Sequence, residues 1–205
     1  MKIRPLLLAL CICLAATATV AYAQSKEKGK PAAQATDPKA MQEMMAKAAA
    51  LGPQHEGLKK RVGDWNLTVK NWMDPTQAPQ EAKSTSVVTA LMDGRYIQEV
   101  STGDMMGMPF TGMGITGYDN VTKKYVSTWM DNFGTGIMRS EGTADASGMV
   151  INWTGESADP MTGKKSKYRM VDRTIDDNKH VFEMFGAAPG GKEAKMMEIT
   201  YERKM

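Results

Sequence analysis

From residue 62 onward, the chain consists of short segments in which apolar and polar residues alternate, and residues that favour turns separate them. This period-two pattern is typical of half-buried β-strands. It predicts strands over residues 63–73, 83–92, 95–102, 110–118, 123–131, 135–144, 148–157, 164–174, 179–187 and 192–204. No connection between them is long enough for a crossover helix, so neighbouring strands are expected to pair antiparallel in sequence order.

The alternation also indicates how this meander is arranged. In the eighth predicted strand, Tyr168 and Met170 share one face, and the basic residues share the other, namely Lys165, Lys167, Arg169 and Arg173. An open sheet would leave two exposed edges, whereas closure pairs the last strand with the first. The sequence therefore predicts an all-β fold, an antiparallel up-and-down β-barrel of about ten strands with the apolar face inside. A two-sheet sandwich is the alternative.

The N-terminus carries the pattern of a secretory signal peptide. Lys2 and Arg4 precede an apolar run over residues 6–16, and Ala21-Tyr22-Ala23 forms a small-x-small cleavage site. The apolar run is short for a membrane span. We therefore expect residues 1–23 to be removed and the protein to be exported, to the periplasm or outside the cell, with no stable membrane insertion after cleavage.

Removal of this segment would change the chemistry available to the chain. Both cysteines, Cys11 and Cys13, lie within it, so the mature protein would have no disulfide, thiolate nucleophile or zinc–thiolate site. The whole sequence has a formal charge of +3, and Lys2 and Arg4 contribute to it. A nearly neutral mature chain lacks the field that attracts phosphate backbones, so a nucleic-acid partner is not expected.

A helical segment is predicted between a leader and the barrel. Residues 24–36 contain no large apolar residue and are expected to be a disordered leader. Asp37 and Pro38 then provide an N-cap and a first helical position. The apolar stripe of this helix consists of Met41, Met44, Met45 and Ala48. We expect the stripe to pack on the barrel or on a partner, and a second short helical piece to run over residues 54–61. The predicted segment is thus 37–61, followed by a β-barrel domain over 62–205.

The start of the first strand resembles a known pattern. Gly63-Asp64-Trp65 is similar to the Gly-x-Trp that opens the barrel of the calycin group, which includes lipocalins and fatty-acid-binding proteins. The resemblance implies that Trp65 closes one end of the barrel and that Arg203, on the last strand, packs over it. An Arg on a Trp face contributes about 1–2 kcal/mol when it is partly desolvated.

Further motifs resemble one bacterial family, the domain-of-unknown-function family 1579. The motifs are Asp93-Gly94-Arg95-Tyr96, Gly107-Met108-Pro109-Phe110-Thr111-Gly112, Gly117-Tyr118-Asp119-Asn120, Lys123-Lys124-Tyr125-Val126-Ser127-Thr128-Trp129-Met130-Asp131, Gly155-Glu156, Asp159-Pro160-Met161-Thr162-Gly163-Lys164 and Met197-Glu198-Ile199. The resemblance covers about residues 55–204. It implies a calycin-like barrel and no established activity, so it assigns no catalytic residue.

Candidate ligand-binding residues follow from the strand predicted at 123–131. Tyr125, Ser127, Trp129 and Asp131 share one face of it. If this is the inner face, the barrel interior is aromatic and polar and can hold one small ligand. The full candidate set is Arg95, Glu99, Tyr125, Trp129, Asp131, Trp153, Tyr168 and Tyr201. The alternative is that the aromatic residues form the core and that Asp131 caps the turn over residues 132–134.

The candidate residues for a metal or a cofactor are four methionines and two histidines. Met105, Met106, Met108 and Met113 cluster in a Gly-rich region and could bind copper as thioethers, although an apolar loop at the barrel mouth is favoured. The histidines are His55 and His180. Two isolated histidines do not make a zinc site, and one could hold haem, as in related ten-stranded barrels. Both are expected on the surface, so we predict no cofactor.

These observations favour an exported barrel that binds a small, partly apolar ligand in its interior. An enzyme that uses interior carboxylates such as Glu99 and Asp131 on a small hydrophobic substrate is an alternative. A protein-interaction module with Met-rich surfaces is another. The sequence carries no nucleophile elbow, P-loop or dinucleotide fingerprint, which favours binding over catalysis. It leaves the oligomeric state open.

Overall fold

The structure is a computed structural model that describes residues 37–105, 107–159, 162–188 and 191–205. The predicted signal peptide over residues 1–23 and the leader over 24–36 lie outside the described residues. Two helices come first, α1 at Pro38–Ala49 and α2 at Pro53–Lys59. Asp37 and Pro38 stand where the sequence predicts the helix start, and α2 ends two residues before the predicted boundary.

Ten strands follow the helices. They are β1 at Gly63–Asn71, β2 at Gln80–Leu91, β3 at Tyr96–Met105, β4 at Met108–Asp119, β5 at Lys124–Asp131, β6 at Met138–Ala144, β7 at Val150–Ala158, β8 at Lys165–Asp176, β9 at Lys179–Ala187 and β10 at Glu193–Arg203. A short 3₁₀ turn, Met92–Gly94, links β2 to β3. Each predicted strand corresponds to an observed one, and the boundaries differ by a few residues.

The strands form a closed antiparallel barrel in which each strand pairs with its sequence neighbours and β1 pairs with β10. This confirms the predicted barrel and excludes the sandwich. At the closure, Trp65 pairs with Arg203 and Leu67 with Tyr201. Closure leaves no free sheet edge, which is why these strands need no covering element.

The barrel interior divides into two halves along its axis. One end, here called the closed half, is filled by buried apolar side chains, among them Trp65, Val88, Ile97, Trp153 and Met170. Leu58 of α2 belongs to the same core and is 2% exposed. At the other end, here called the open half, inward-facing side chains such as Trp129 and Tyr168 are only partly buried.

The two helices differ in how they contact the barrel. α2 buries His55 and Leu58, whereas α1 buries no residue. Asn120 and Arg95 side chains donate hydrogen bonds to the carbonyl oxygens at the end of α1 and just after it. The stripe of α1 stays exposed, with Met41 at 49%, Met44 at 56% and Met45 at 67%. Among the described residues, the stripe therefore does not pack on the barrel, and its packing on a partner stays a prediction.

Membrane crossing by a helix is not supported within the described residues. Neither α1 nor α2 is both long and apolar enough to span a bilayer.

Candidate functional site

The closed half ends in a plug formed by Trp65 and Arg203. The Arg203 guanidinium lies 4.3 Å from the centroid of the Trp65 ring. It also donates hydrogen bonds to the carbonyl oxygens of Lys60 and Val62 at 2.6 and 2.8 Å. Gly63 allows this approach, since its φ is +138° and a Cβ there would lie 2.5 Å from Arg203 Nη1. The structure thus brings together the three residues that the calycin resemblance associates with closure.

A buried ion cluster lies beside the plug. The guanidinium of Arg61, just after α2, donates to Asp172 Oδ2 on β8. Burial opposes ionisation of the Asp172 carboxyl, yet Arg61 and then His180 attract its charge strongly enough to hold its pKa well below the usual range. His180 Nδ1 lies 3.6 Å from Asp172 Oδ1, and neither atom has a hydrogen-bond partner within the described part of the chain. The cluster is therefore held by one hydrogen bond, between Arg61 and Asp172, and by the attraction of the Asp172 charge to Arg61 and His180.

Both histidines are buried, which corrects the expectation that they lie on the surface. His55 is 3% exposed and His180 is 7% exposed. The His180 ring stacks on Tyr201 with centroids 4.0 Å apart and meets the Trp65 ring edge-on at 4.9 Å. The alternation pattern does not predict the burial of these two residues, because a histidine next to a turn is counted as a polar, exposed position. Because the Trp65 and Tyr201 rings pack against it, His180 is part of the core of the closed half. Its ring is not exposed as an axial haem ligand would need to be.

A single carboxylate occupies the middle of the barrel, between the two halves. Glu99 Oε1 accepts hydrogen bonds from Ser86 Oγ and Ser101 Oγ, each at 2.9 Å, and from Tyr201 Oη at 3.2 Å. Burial, followed by the nearby charges of Glu99 and Asp172, raises the pKa of Tyr201 well above its ordinary value, so this hydroxyl remains a donor. Glu99 is partly exposed, and Oε2 has no hydrogen-bond partner among the described residues.

In the open half, Trp129 and Asp131 form one unit. Trp129 Nε1 donates to Asp131 Oδ2 at 3.1 Å, and the backbone N–H of Phe133 donates to Asp131 Oδ1 at 3.0 Å. The Trp129 ring lies over Gly112 and Gly114 of β4, where a Cβ would collide with it. Asp131 thus caps the turn, as the alternative interpretation held, and both of its oxygens are used. Both Asp131 oxygens are therefore engaged by groups of the chain itself, and Asp131 does not contact Glu99 in the hydrogen bonds of the described residues.

The remaining candidates are distributed over different environments. Tyr125 and Trp153 are buried in the closed half with ring centroids 6.1 Å apart. Tyr168 faces the open half and covers Gly186. Arg95 follows the 3₁₀ turn, outside the barrel, where it contacts Asp93 and the end of α1. The structure therefore brings Glu99 and Tyr201 into contact and leaves Arg95 apart from both.

The methionine candidates do not converge. Met105 and Met108 pair in the β3–β4 hairpin, whereas Met113 pairs with Val100 and its sulfur accepts a hydrogen bond from Gln98. Met113 lies five residues along β4 from Met108, a rise of about 17 Å. Met106 lies outside the described residues. No group of three or more His, Cys, Asp or Glu side chains suited to a metal occurs in the described ranges.

A groove of about 1110 Å³ crosses the outer wall of the barrel, and the sequence reasoning missed it. Its side chains come mainly from outward-facing positions, including Ile115, Val126, Arg139, Glu156, Lys167, Arg169, Phe185 and Glu193. A partial signal was present, since Ile115, Val126 and Phe185 are large apolar residues at outward-facing positions of their strands. This groove, which we call the outer groove, is separated from the interior by the strands themselves.

Comparisons with known proteins agree with this architecture. A family model described as "Protein of unknown function (DUF1579)" matches residues 50–203. The match takes in α2 and the whole barrel and leaves α1 outside. It confirms the family resemblance that the motifs indicated. No curated protein matches the chain significantly.

One solved structure shows the same fold, and two others give lower scores. The chain is similar to Rv2717c from M. tuberculosis, with a TM-score of 0.55 and 17% identity, over 76% of this chain and 100% of that one. A redesigned β-barrel gives a TM-score of 0.37 and 13% identity, with 72% and 95% of the two chains covered. A DUF3598 protein of unknown function from Nostoc punctiforme gives 0.22 and 6%, with 75% and 100% covered.

Proposed function

This chain belongs to DUF1579, a family of proteins of unknown function, and we propose that its barrel binds a small, partly apolar molecule in the open half. The bound molecule places a cationic or N–H donor group on Glu99. The observation that carries the proposal is a partly exposed interior carboxylate whose Oε1 is fixed by three hydroxyl groups. Because Oε1 is saturated, Oε2 is the atom left to accept a hydrogen bond from a ligand.

The surroundings of Glu99 support a ligand with an apolar body. Trp129 and Tyr168 point inward in the open half and yet retain exposed area, so a ligand there can contact them. Their area is mostly hydrocarbon and aromatic. An apolar cavity with one oriented polar group is the usual composition of a small-molecule site. A donor on the ligand would gain a charge-assisted hydrogen bond in a partly desolvated position.

We further propose that the protein acts after export, in the periplasm or outside the cell. The basic, apolar and small-x-small segments of residues 1–23 support this location. The predicted mature part contains no cysteine, so an oxidising compartment cannot oxidise a thiol in it or form a wrong disulfide.

The proposal is tested first by native mass spectrometry of the mature protein, purified gently from its own host. We expect a stoichiometric extra mass of an organic molecule. The second measurement is titration with 2-phenylethylamine, 2-phenylethanol and phenylacetate, followed by the fluorescence of Trp129. We expect the amine to bind about tenfold more tightly than the alcohol, as a charged hydrogen bond of about 1.5–3 kcal/mol implies.

A matched pair of variants locates the site. Glu99→Gln should remove the preference for the amine, whereas Glu202→Gln, on the outer wall beside Lys179, should leave it unchanged. A clean apo mass together with no fluorescence response to any of the three probes would contradict interior binding. Equal binding of amine and phenylacetate would contradict the role of Glu99.

A further inference from the structure

Methionine is frequent in this chain, and neither the fold nor the proposed interior site accounts for it. The sequence contains 19 methionines, whereas its two cysteines, Cys11 and Cys13, both lie in the predicted signal peptide. The predicted mature part therefore has no thiol. In such a chain, the thioether sulfur of methionine is the side-chain atom that two-electron oxidants attack most readily.

Many of these methionines lie at the surface. Methionine is among the residues most often found buried, because its flexible side chain fills gaps in a core. Met170 has this ordinary role, since it is 2% exposed and belongs to the core of the closed half. In the described parts of the chain, nine others are exposed, namely Met41, Met44, Met45, Met73, Met92, Met108, Met149, Met196 and Met205. Side chains with this exposure do not fill the core, so packing does not explain them.

Most of the exposed methionines lie outside the sheet. α1 carries Met41, Met44 and Met45 on one face and buries no residue. Met73, just after β1, is 75% exposed, and Met92, in the 3₁₀ turn, is 71% exposed. A polar group added to any of these side chains meets solvent and not the barrel core.

Oxidation therefore has opposite consequences at exposed and buried methionines. Formation of a sulfoxide turns an apolar side chain into a polar one and disrupts a core that contains it. At Met170, which belongs to the same core cluster as Trp153, the new S=O group would be buried among apolar side chains. On α1, no packed contact is lost. The chain can thus be oxidised at several positions before its fold is affected.

We propose that the exposed methionines form an oxidation site, at which this protein consumes hypochlorous acid and related two-electron oxidants without loss of the fold. In each step, the thioether sulfur gives two electrons to the chlorine of one hypochlorous acid molecule and takes its oxygen atom. The products are one sulfoxide, one chloride ion and one proton. A methionine sulfoxide reductase reverses the change with a dithiol, which becomes a disulfide while the oxygen leaves as water. The reaction does not involve Glu99, so it is independent of interior binding.

Titration of the full mature chain with one, three and nine molar equivalents of hypochlorous acid tests the proposal. Peptide mass spectrometry locates the sulfoxides, and urea denaturation follows the fold. At three equivalents, we expect the sulfoxide occupancy of Met41, Met44 and Met45 to exceed that of Met170 at least about tenfold, with an unchanged urea midpoint. Oxidation of Met170 in parallel with the exposed methionines, or a fall of the midpoint within the first three equivalents, would overturn the proposal.

A matched pair of variants assigns the reaction to α1. Met41→Leu/Met44→Leu/Met45→Leu keeps the apolar face but removes its sulfur atoms. The chain should then consume about three equivalents fewer before its urea midpoint falls, one for each sulfur removed. Met170→Leu removes a buried sulfur and should leave this consumption unchanged. Equal consumption by the natural chain and the triple variant would contradict the role of α1.

Reversal and accessibility are measured on the same samples. Reductases for both sulfoxide epimers, with dithiothreitol as the dithiol, should return the oxidised chain to its original mass. Oxygen that remains on the chain would show that the site is not reversible. If Met41, Met44 and Met45 are oxidised about tenfold more slowly than Met73 and Met92, another surface covers the stripe of α1 in solution and its assignment is wrong.

Discussion

At the scale of single residues, Trp65 shows how one side chain closes the barrel. It is 2% exposed, its Nε1 donates to the carbonyl oxygen of Arg61 at 2.9 Å, and Arg203 covers its ring. We expect Trp65→Ala to reduce the free energy of unfolding by about 3–5 kcal/mol, through lost burial and the cavity left behind. Urea denaturation measures this, with the less buried Trp72→Ala as the control. A loss below about 1 kcal/mol at Trp65 would contradict the plug.

Arg61 and Asp172 form a pair in which each residue requires the other. Their side chains are 17% and 9% exposed, so removal of one leaves the other charge without its main partner. Arg61→Met should cost about 3–5 kcal/mol of unfolding free energy. The double variant Arg61→Met/Asp172→Leu should be more stable than Arg61→Met alone, because no uncompensated charge remains. If the double variant loses the sum of both single effects, the coupling is absent.

The same pair predicts a dependence of stability on pH. The pKa of Asp172 is lower in the folded protein than its ordinary value of 3.8. The stabilisation from this group is therefore fully present above that value and is lost as the pH falls toward the folded pKa. Between pH 6 and pH 3, the urea midpoint of the natural protein should fall further than that of Asp172→Asn. Parallel falls in the two proteins would show that Asp172 does not contribute.

At the scale of elements, β4 and β5 illustrate a contact that requires glycine. The Trp129 ring on β5 occupies the space that a Cβ of Gly112 on β4 would take. Gly112→Ala should therefore cost about 1–3 kcal/mol and shift the fluorescence of the displaced Trp129. Gly136→Ala, in the loop before β6, has no atom within 4 Å of an added Cβ and should change neither property. An unaltered Trp129 spectrum in Gly112→Ala would show that the ring does not lie there.

The helices provide a second contrast between elements. α1 buries no residue, whereas α2 places Leu58 in the core. A chain that begins at Ala50 should therefore keep its unfolding free energy within about 1 kcal/mol, whereas Leu58→Ala should lose about 2–5 kcal/mol. Thermal and urea unfolding measure both. A large loss on removal of α1 would mean that its exposed methionine stripe contacts the barrel in solution.

The elements also show what the sequence can and cannot predict. The strands follow from local alternation, and closure follows from the two exposed edges that an open sheet would leave, so both were predictable. Arg61 and Asp172 are separated by 111 positions, and no local pattern joins a residue after a helix to one on β8. Asp172 was still detectable as a carboxylate in phase with the inward-facing Met170.

At the scale of the whole molecule, the two halves of the barrel differ in how tightly they are packed. The closed half holds the plug, the buried ion cluster and the aromatic core, while the open half keeps partly exposed side chains around Glu99. Because all ten strands run through both halves, the filled end fixes the positions of the backbone at the other end. Side chains in the open half can then stay partly exposed without loss of the fold, which is what the proposed ligand site requires.

The closed strand order has one more consequence, because a barrel of sequential neighbours has no unique first strand. A permuted chain that links Met205 to Pro53 and begins in the exposed turn over residues 145–148 keeps every strand pair. We expect it to unfold in a single transition, with fluorescence and circular dichroism coincident. A chain opened between Ser127 and Thr128 breaks β5, which pairs with both β4 and β6, and should not fold. If both permuted chains behave alike, the continuity of the individual strands does not control folding.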